Sequence, residues 1–191
     1  MNLDCPGLVI IDMQNDMVNP KGKLYIPGSE EILPKIVEIL TWARTRTIPI
    51  FHIIREHAKD GSDVEKFRRM LFIENGGYLL SGSWGAECPE DIDMRSGESR
   101  IVKTRFSGFY KTELDEELKQ DGIKTLIITG VQTPNCIRAT AVDAQMRDMG
   151  VVLVKDAIAA ASPEVHRANL HDMKNMGMRI VSRGQLMEDH P

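Results

Sequence analysis

Apolar residues fall into short unbroken runs, separated by segments whose apolar positions recur every three or four residues. Leu8-Val9-Ile10-Ile11 is the first run and stops at Asp12. An unbroken run of this length reads as a strand buried on both faces of a parallel sheet. Ser29 can cap a helix, and Ile32, Leu33, Ile36, Val37, Ile39 and Leu40 follow at helical spacing. Pro49-Ile50-Phe51-His52-Ile53-Ile54 reads as a second strand. Residues 55–99 are the least regular, rich in Gly and charge, with one helix expected near 63–71. Arg100-Ile101-Val102-Lys103 reads as a short strand, and 113–119 as a helix that Gly122 stops. Lys124-Thr125-Leu126-Ile127-Ile128-Thr129-Gly130-Val131 is the clearest strand. A helix over 135–149, a strand over 151–155, a helix over 163–175 and a last strand over 179–182 complete the pattern.

Strands and helices therefore alternate. That pattern predicts an α/β fold, a doubly wound, mostly parallel sheet with helices on both faces. The length of 191 residues suits one domain over 1–191. In such sheets the ligand crevice lies beyond the carboxyl ends of the strands. Asp12 ends the first strand, Lys103 ends another, and Cys136 follows the strand that closes at Val131. The three side chains are expected to converge on one edge.

Apolar residues at 42% and charged residues at 27% are ordinary for a globular protein. The net charge of -4, without clustered Lys or Arg, argues against nucleic acid or an anionic membrane as partner. No apolar run approaches the roughly 18–20 residues of a membrane span. No basic segment followed by a long apolar stretch opens the chain, so a cytoplasmic location is expected. Cys5, Cys88 and Cys136 are odd in number and widely spaced, which speaks against a disulfide framework or a zinc knuckle. No Gly-x-Gly-x-x-Gly or P-loop pattern occurs, so no nucleotide cofactor is expected.

Cys136 opens a helix, where partial positive charge and free N–H groups favour a thiolate and can hold an oxyanion. A buried structural cysteine could occupy the same place, and position alone does not decide. A carboxylate at the end of a buried strand needs a partner, and Lys103 is the obvious one for Asp12. The pair reads either as a structural ion pair or as catalytic machinery. In the second case Asp12 takes the thiol proton, and Lys103 keeps Asp12 ionised and lowers the thiol pKa.

Four blocks carry a resemblance. They are Val9-Ile10-Ile11-Asp12-Met13-Gln14-Asn15-Asp16, Gly82-Ser83-Trp84-Gly85-Ala86-Glu87, Val102-Lys103-Thr104-Arg105-Phe106-Ser107-Gly108-Phe109, and the run from Gly130 through Cys136 to Ala141. In this order they resemble the isochorismatase-like family of cysteine hydrolases along nearly the whole chain. The resemblance implies a Rossmann-like, isochorismatase-like hydrolase fold and an Asp12–Lys103–Cys136 triad. It also implies a cis peptide at Val131–Gln132 and an oxyanion hole from the N–H groups of Gln132 and Cys136. Members of that family include nicotinamidases and carbamoyl or ureido amidohydrolases, which cleave C–N bonds through the thiol. Isochorismatases instead cleave a vinyl ether by acid catalysis and do not need it. An intact Cys136 therefore points to cleavage of a small amide or ureido/carbamoyl compound through a covalent acyl-enzyme. Vinyl-ether hydrolysis and a nicotinamidase-like amidase are the alternatives, and a non-catalytic scaffold is a third.

The nicotinamidases of that family carry a metal at an Asp-x-His pair after the second strand. Here the matching stretch is Arg55-Glu56-His57, with a cation where the acid should be. No metal is expected, and Arg55 reads as a holder of a substrate carboxylate or as a surface salt bridge. His52, within an apolar strand, reads as a core histidine. Trp84, Phe106 and Phe109 are candidates for the pocket wall, with core packing the alternative, above all for Phe106. Arg138 is expected to face the pocket or a subunit interface. The expected partners are a small-molecule substrate and other copies of the chain, as a homo-oligomer.

Overall fold

The structure is a computed structural model that describes residues 3–188; the ends of the expected domain, 1–2 and 189–191, lie outside the described residues. The first apolar run becomes β1 (Pro6–Ile11), buried at every position after Pro6. Then follow α1 (Asn15–Val18), α2 (Ser29–Thr45), β2 (Ile50–Arg55), α3 (Arg69–Glu74), β3 (Ser99–Lys103) and α4 (Leu114–Gln120). The second half holds β4 (Thr125–Val131), a π-helical turn Thr133–Ile137, α5 (Arg138–Gln145), β5 (Gly150–Ala159), α6 (Pro163–Asn175), β6 (Arg179–Val181) and α7 (Arg183–Glu188).

The six strands form one all-parallel sheet in the order β3-β2-β1-β4-β5-β6. Because strand side chains alternate between faces, each strand feeds two cores. Leu8, Ile10 and Ile50 meet Met17, Ile36, Leu40, Phe72 and Leu186 on one face, from α1, α2, α3 and α7. Val9, Ile11, Phe51, Ile53 and Ile101 meet Leu114, Leu118, Ala141, Ala144, Leu170 and Met173 on the other, from α4, α5 and α6. The period of two then places Arg55 after Ile53, and Lys103 after Ile101, on the second face. The strand order reverses between β1 and β4, which is where this kind of sheet opens a ligand crevice. Asp12 and Cys136 follow those two strands.

Several boundaries differ from the sequence reading, each for a local reason. The helix expected near 63–71 starts later, as a 3₁₀ turn Lys66–Arg68 running into α3. Glu65 has extended backbone (φ -55°, ψ 137°), and its buried carboxylate pairs with Arg55. β5 runs past Lys155 and Asp156 to Ala159, since an irregularity opposite β4 moves the pairing from Ile128–Leu153 to Gly130–Ile158. The apolar run breaks at that point although the strand does not. The short α1 and α7 carry too few apolar positions to show a period. No helix among the described residues is long and apolar enough to cross a membrane.

β1 and β4 approach so closely at their ends that only glycine fits at position 130. Gly130 has φ +111°, and a Cβ there would lie 2.1 Å from the Ile11 carbonyl oxygen. Gly130→Ala should lose at least about 2 kcal/mol of stability, read as a lower urea midpoint at unchanged slope. An unchanged midpoint would contradict this account of the strand ends.

Candidate active site

Asp12 leaves β1 with φ +53°, and its N–H donates to the Ile53 carbonyl at 2.8 Å. Two residues on, the Gln14 amide Nε2 donates to the carbonyls of Arg55 (2.7 Å) and Ala86 (2.8 Å), while its Oε1 accepts from the Arg55 N–H (2.8 Å). Asn15 Nδ2 donates to the Trp84 carbonyl at 2.9 Å. The Asp12-to-Asp16 block thus fixes both the end of β2 and the glycine-rich loop. Lys103, at the end of β3, spends all three ammonium protons. They go to Asp12 Oδ2 (2.8 Å), the Arg105 carbonyl (3.2 Å) and Cys136 Sγ (3.5 Å). Cys136 is the fourth residue of the π-helical turn. Thr133 anchors that turn by donating to the Ala159 carbonyl (3.1 Å) and pairing with His166 Nδ1 (2.8 Å). The Val131–Gln132 peptide just before it is cis.

Asp12, Lys103 and Cys136 are 0%, 1% and 3% exposed, so their charges interact with little help from water. Burial first, and then the negative charge of Asp12, push the Cys136 thiol up to about 11, against the pull of Lys103 and Arg55. The charge of Lys103 lowers the thiol pKa in the direction expected, but burial raises it by more. Desolvation outweighs the pull of the nearby cations and favours the neutral thiol. Asp12 Oδ1, buried and without a partner, remains available as an acceptor.

The structure brings Arg55 to this site and adds a residue that the sequence did not reveal. Arg55 Nη1 donates to the carboxylate of Glu65 at 3.0 Å, so the salt bridge weighed for it is present but buried rather than at the surface. Phe106, for which core packing was at least as strong a reading, packs against the second core and lies beneath the guanidinium groups of Arg55 (5.3 Å) and Arg68 (5.5 Å). The other two aromatic candidates are elsewhere. Trp84 is half exposed and lines a surface hollow with Lys21 and Lys23, to which none of Asp12, Lys103, Cys136 or Arg55 contributes. Phe109 is a core residue capped by Arg147, 4.3 Å away beyond the end of α5 that lies opposite Cys136. Arg138 turns to α6, donating to Asn169 (2.9 Å) and pairing with Asp172. His52 is buried with Nε2 2.7 Å from Glu98.

A family model described as the isochorismatase domain matches residues 6–185. The chain belongs to the isochorismatase family. It is 42% identical over 186 residues to a probable inactive nicotinamidase of Arabidopsis thaliana, covering 96% of this chain and 95% of that protein. It is 28% identical to the ureidoacrylate amidohydrolase RutB of Caulobacter vibrioides, covering 88% of this chain and 83% of the relative. A crystal structure of an isochorismatase family protein from Desulfovibrio vulgaris superposes with a TM-score of 0.93 at 43% identity, covering 98% of both chains. This member of the isochorismatase family is a hydrolase.

The metal that some isochorismatase-family members use has no matching ligand set here. Arg55 stands in the acid position, and its guanidinium is held by Glu65. His57 Nδ1 is 3.2 Å from Asp63 Oδ1, and burial together with the charge of Arg55 lowers the imidazole pKa. Among the described residues no three His, Cys, Asp or Glu side chains gather as cation ligands. The side chains present do not fit a divalent cation.

Proposed function

We propose that this chain is a cysteine amidohydrolase that cleaves the C–N bond of a small amide or ureido/carbamoyl compound with Asp12, Lys103 and Cys136. The observation that carries the reading is the position of Lys103 Nζ, 2.8 Å from Asp12 Oδ2 and 3.5 Å from Cys136 Sγ, with all three side chains buried. Such a centre holds a neutral thiol beside a ready base, and it stabilises the thiolate as it forms.

Cys136 gives its proton to Asp12 as Sγ bonds to the carbonyl carbon, and the carbonyl π electrons move to oxygen. The N–H groups of Gln132 and Cys136 receive that oxyanion. Collapse re-forms the carbonyl and breaks the C–N bond, and protonated Asp12 returns its proton to the departing nitrogen. Water then gives a proton to Asp12 and attacks the thioester. The acid or carbamate leaves, and the proton returns to Sγ. The intact thiol supports this over vinyl-ether hydrolysis, which does not need it. The broken ligand set argues against a metal-dependent nicotinamidase.

A panel of small amides, carbamoyl amino acids and ureido acids, read by released ammonia, tests the activity. Acid quenching early in turnover should then yield an adduct of acyl mass on the peptide that holds Cys136. Turnover without that adduct, in rapid-quench samples that cover the first cycle, would overturn the covalent route.

A further inference from the structure

We infer that Glu65 reads an N–H donor on the substrate, so that the Arg55–Glu65 pair selects ureido acids with a free N–H over their N-alkylated analogues. This rests on the amidohydrolase reading above. Arg55 and Glu65 are 1% and 6% exposed. Their single bond, Nη1 to Oε1, leaves Arg55 Nε and Nη2 and Glu65 Oε2 buried without a partner. Buried polar groups are nearly always satisfied, and leaving one unsatisfied is costly in free energy, most of all when it is charged. A ligand that completes them recovers that free energy.

The leftover atoms define what the ligand must carry. Nε–H and Nη2–H lie along one edge of the guanidinium and take two acceptor lone pairs together. Glu65 Oε2 only accepts. A carboxylate alone would satisfy the Arg55 edge, but it would leave Oε2 unpaired and set a second anion beside it. A carboxylate with an N–H on the nitrogen one carbon away, the position that N-alkylation blocks, supplies both needs. His57 Nε2 and the Tyr78 hydroxyl are also buried and unpartnered. They border the pair closely enough for Arg55 and Glu65 to act on both titrations. Arg55 in turn lies within electrostatic reach of Cys136 and Asp12: burial disfavours its charge, yet theirs holds it. Arg55 also stands opposite Lys103 across β2 and β3, and Lys103 reaches Cys136, so the Arg55–Glu65 pair borders the catalytic lysine.

N-carbamoylglycine and N-carbamoylsarcosine form a matched pair of probes, differing by one N–H replaced with N–CH₃. Calorimetric binding to the Cys136→Ala protein should favour the N–H compound at least about tenfold, the 1.4 kcal/mol of one buried hydrogen bond. In the Glu65→Gln/Cys136→Ala protein, the Gln oxygen faces Arg55 and its NH₂ faces the ligand. The preference should fall below about threefold there. Glu65→Asp, which keeps the charge but withdraws Oε2, should lose the preference too and serves if the Gln protein does not fold. No preference in the Glu65 protein, binding of neither probe, or a preference that survives both substitutions would overturn the inference. If the preference holds but the intact enzyme releases no ammonia from any amide, the amidohydrolase reading falls and the role of Glu65 in binding stands.

Discussion

Cys136→Ala is expected to lower amide turnover by roughly 10⁴–10⁶-fold, the range seen when a nucleophile is removed from a covalent hydrolase. The fold should survive the change. Sγ is buried against Ile137 and Ala141 in the second core, and losing one such atom costs about 1 kcal/mol. A thermal melt near that of the parent, together with lost ammonia release, places the effect on chemistry. Persistence of activity would point instead to acid catalysis by Asp12, the route that vinyl-ether hydrolysis takes. Alkylation is a poor substitute for this test. Cys5 is exposed, whereas the Cys136 thiol is buried and pushed up to about 11. A reagent such as iodoacetamide will label Cys5 first at neutral pH, so reactivity has to be read on the Cys136 peptide alone.

What could be read from the chain follows from how local each signal is. The buried strands were legible because a parallel sheet demands unbroken apolar runs, and Asp12, Lys103 and Cys136 stood out as reactive side chains where those runs end. Their convergence follows from topology, since the strand order reverses between β1 and β4. Glu65 was not legible. It lies in the irregular segment, in a charged stretch that resembles a solvated face, and only the long-range pairing with Arg55 shows that it is buried. Gln14 was quoted within a motif but not understood. Its value lies in three hydrogen bonds to backbone 41 and 72 residues away. Scarcity of aromatic residues says nothing about direction: Trp84 faces a surface hollow, Phe109 packs in the core as its alternative reading had it, and Phe106 packs against that core beneath two guanidinium groups. The thiol pKa was legible only in part, for a related reason. Sequence position reports nearby charge but not the depth of burial that outweighs it.

Lys103→Met should separate the catalytic from the structural meaning of the buried ion pair. The rate should fall at least about 10²-fold, as expected for losing a positioned charge beside the reacting atoms. Stability should fall by about 3–5 kcal/mol at neutral pH, because Asp12 is left as an uncompensated buried carboxylate. The sign of the pH dependence is fixed. An unpaired buried carboxylate has its pKa raised above the unfolded value, so the folded variant binds the extra proton. The deficit should shrink as pH falls toward the ordinary carboxylate range and widen above it. Alkylation at Cys136 should slow at neutral pH, since the ammonium 3.5 Å from Sγ that lowers the thiol pKa is gone. The double variant Asp12→Asn/Lys103→Met removes both charges. It should regain much of the lost stability, because a neutral pair of similar volume avoids the desolvation penalty, yet it should stay inactive for want of a base. Activity regained along with stability would show that the pair only holds the fold, and would remove Asp12 and Lys103 from the mechanism.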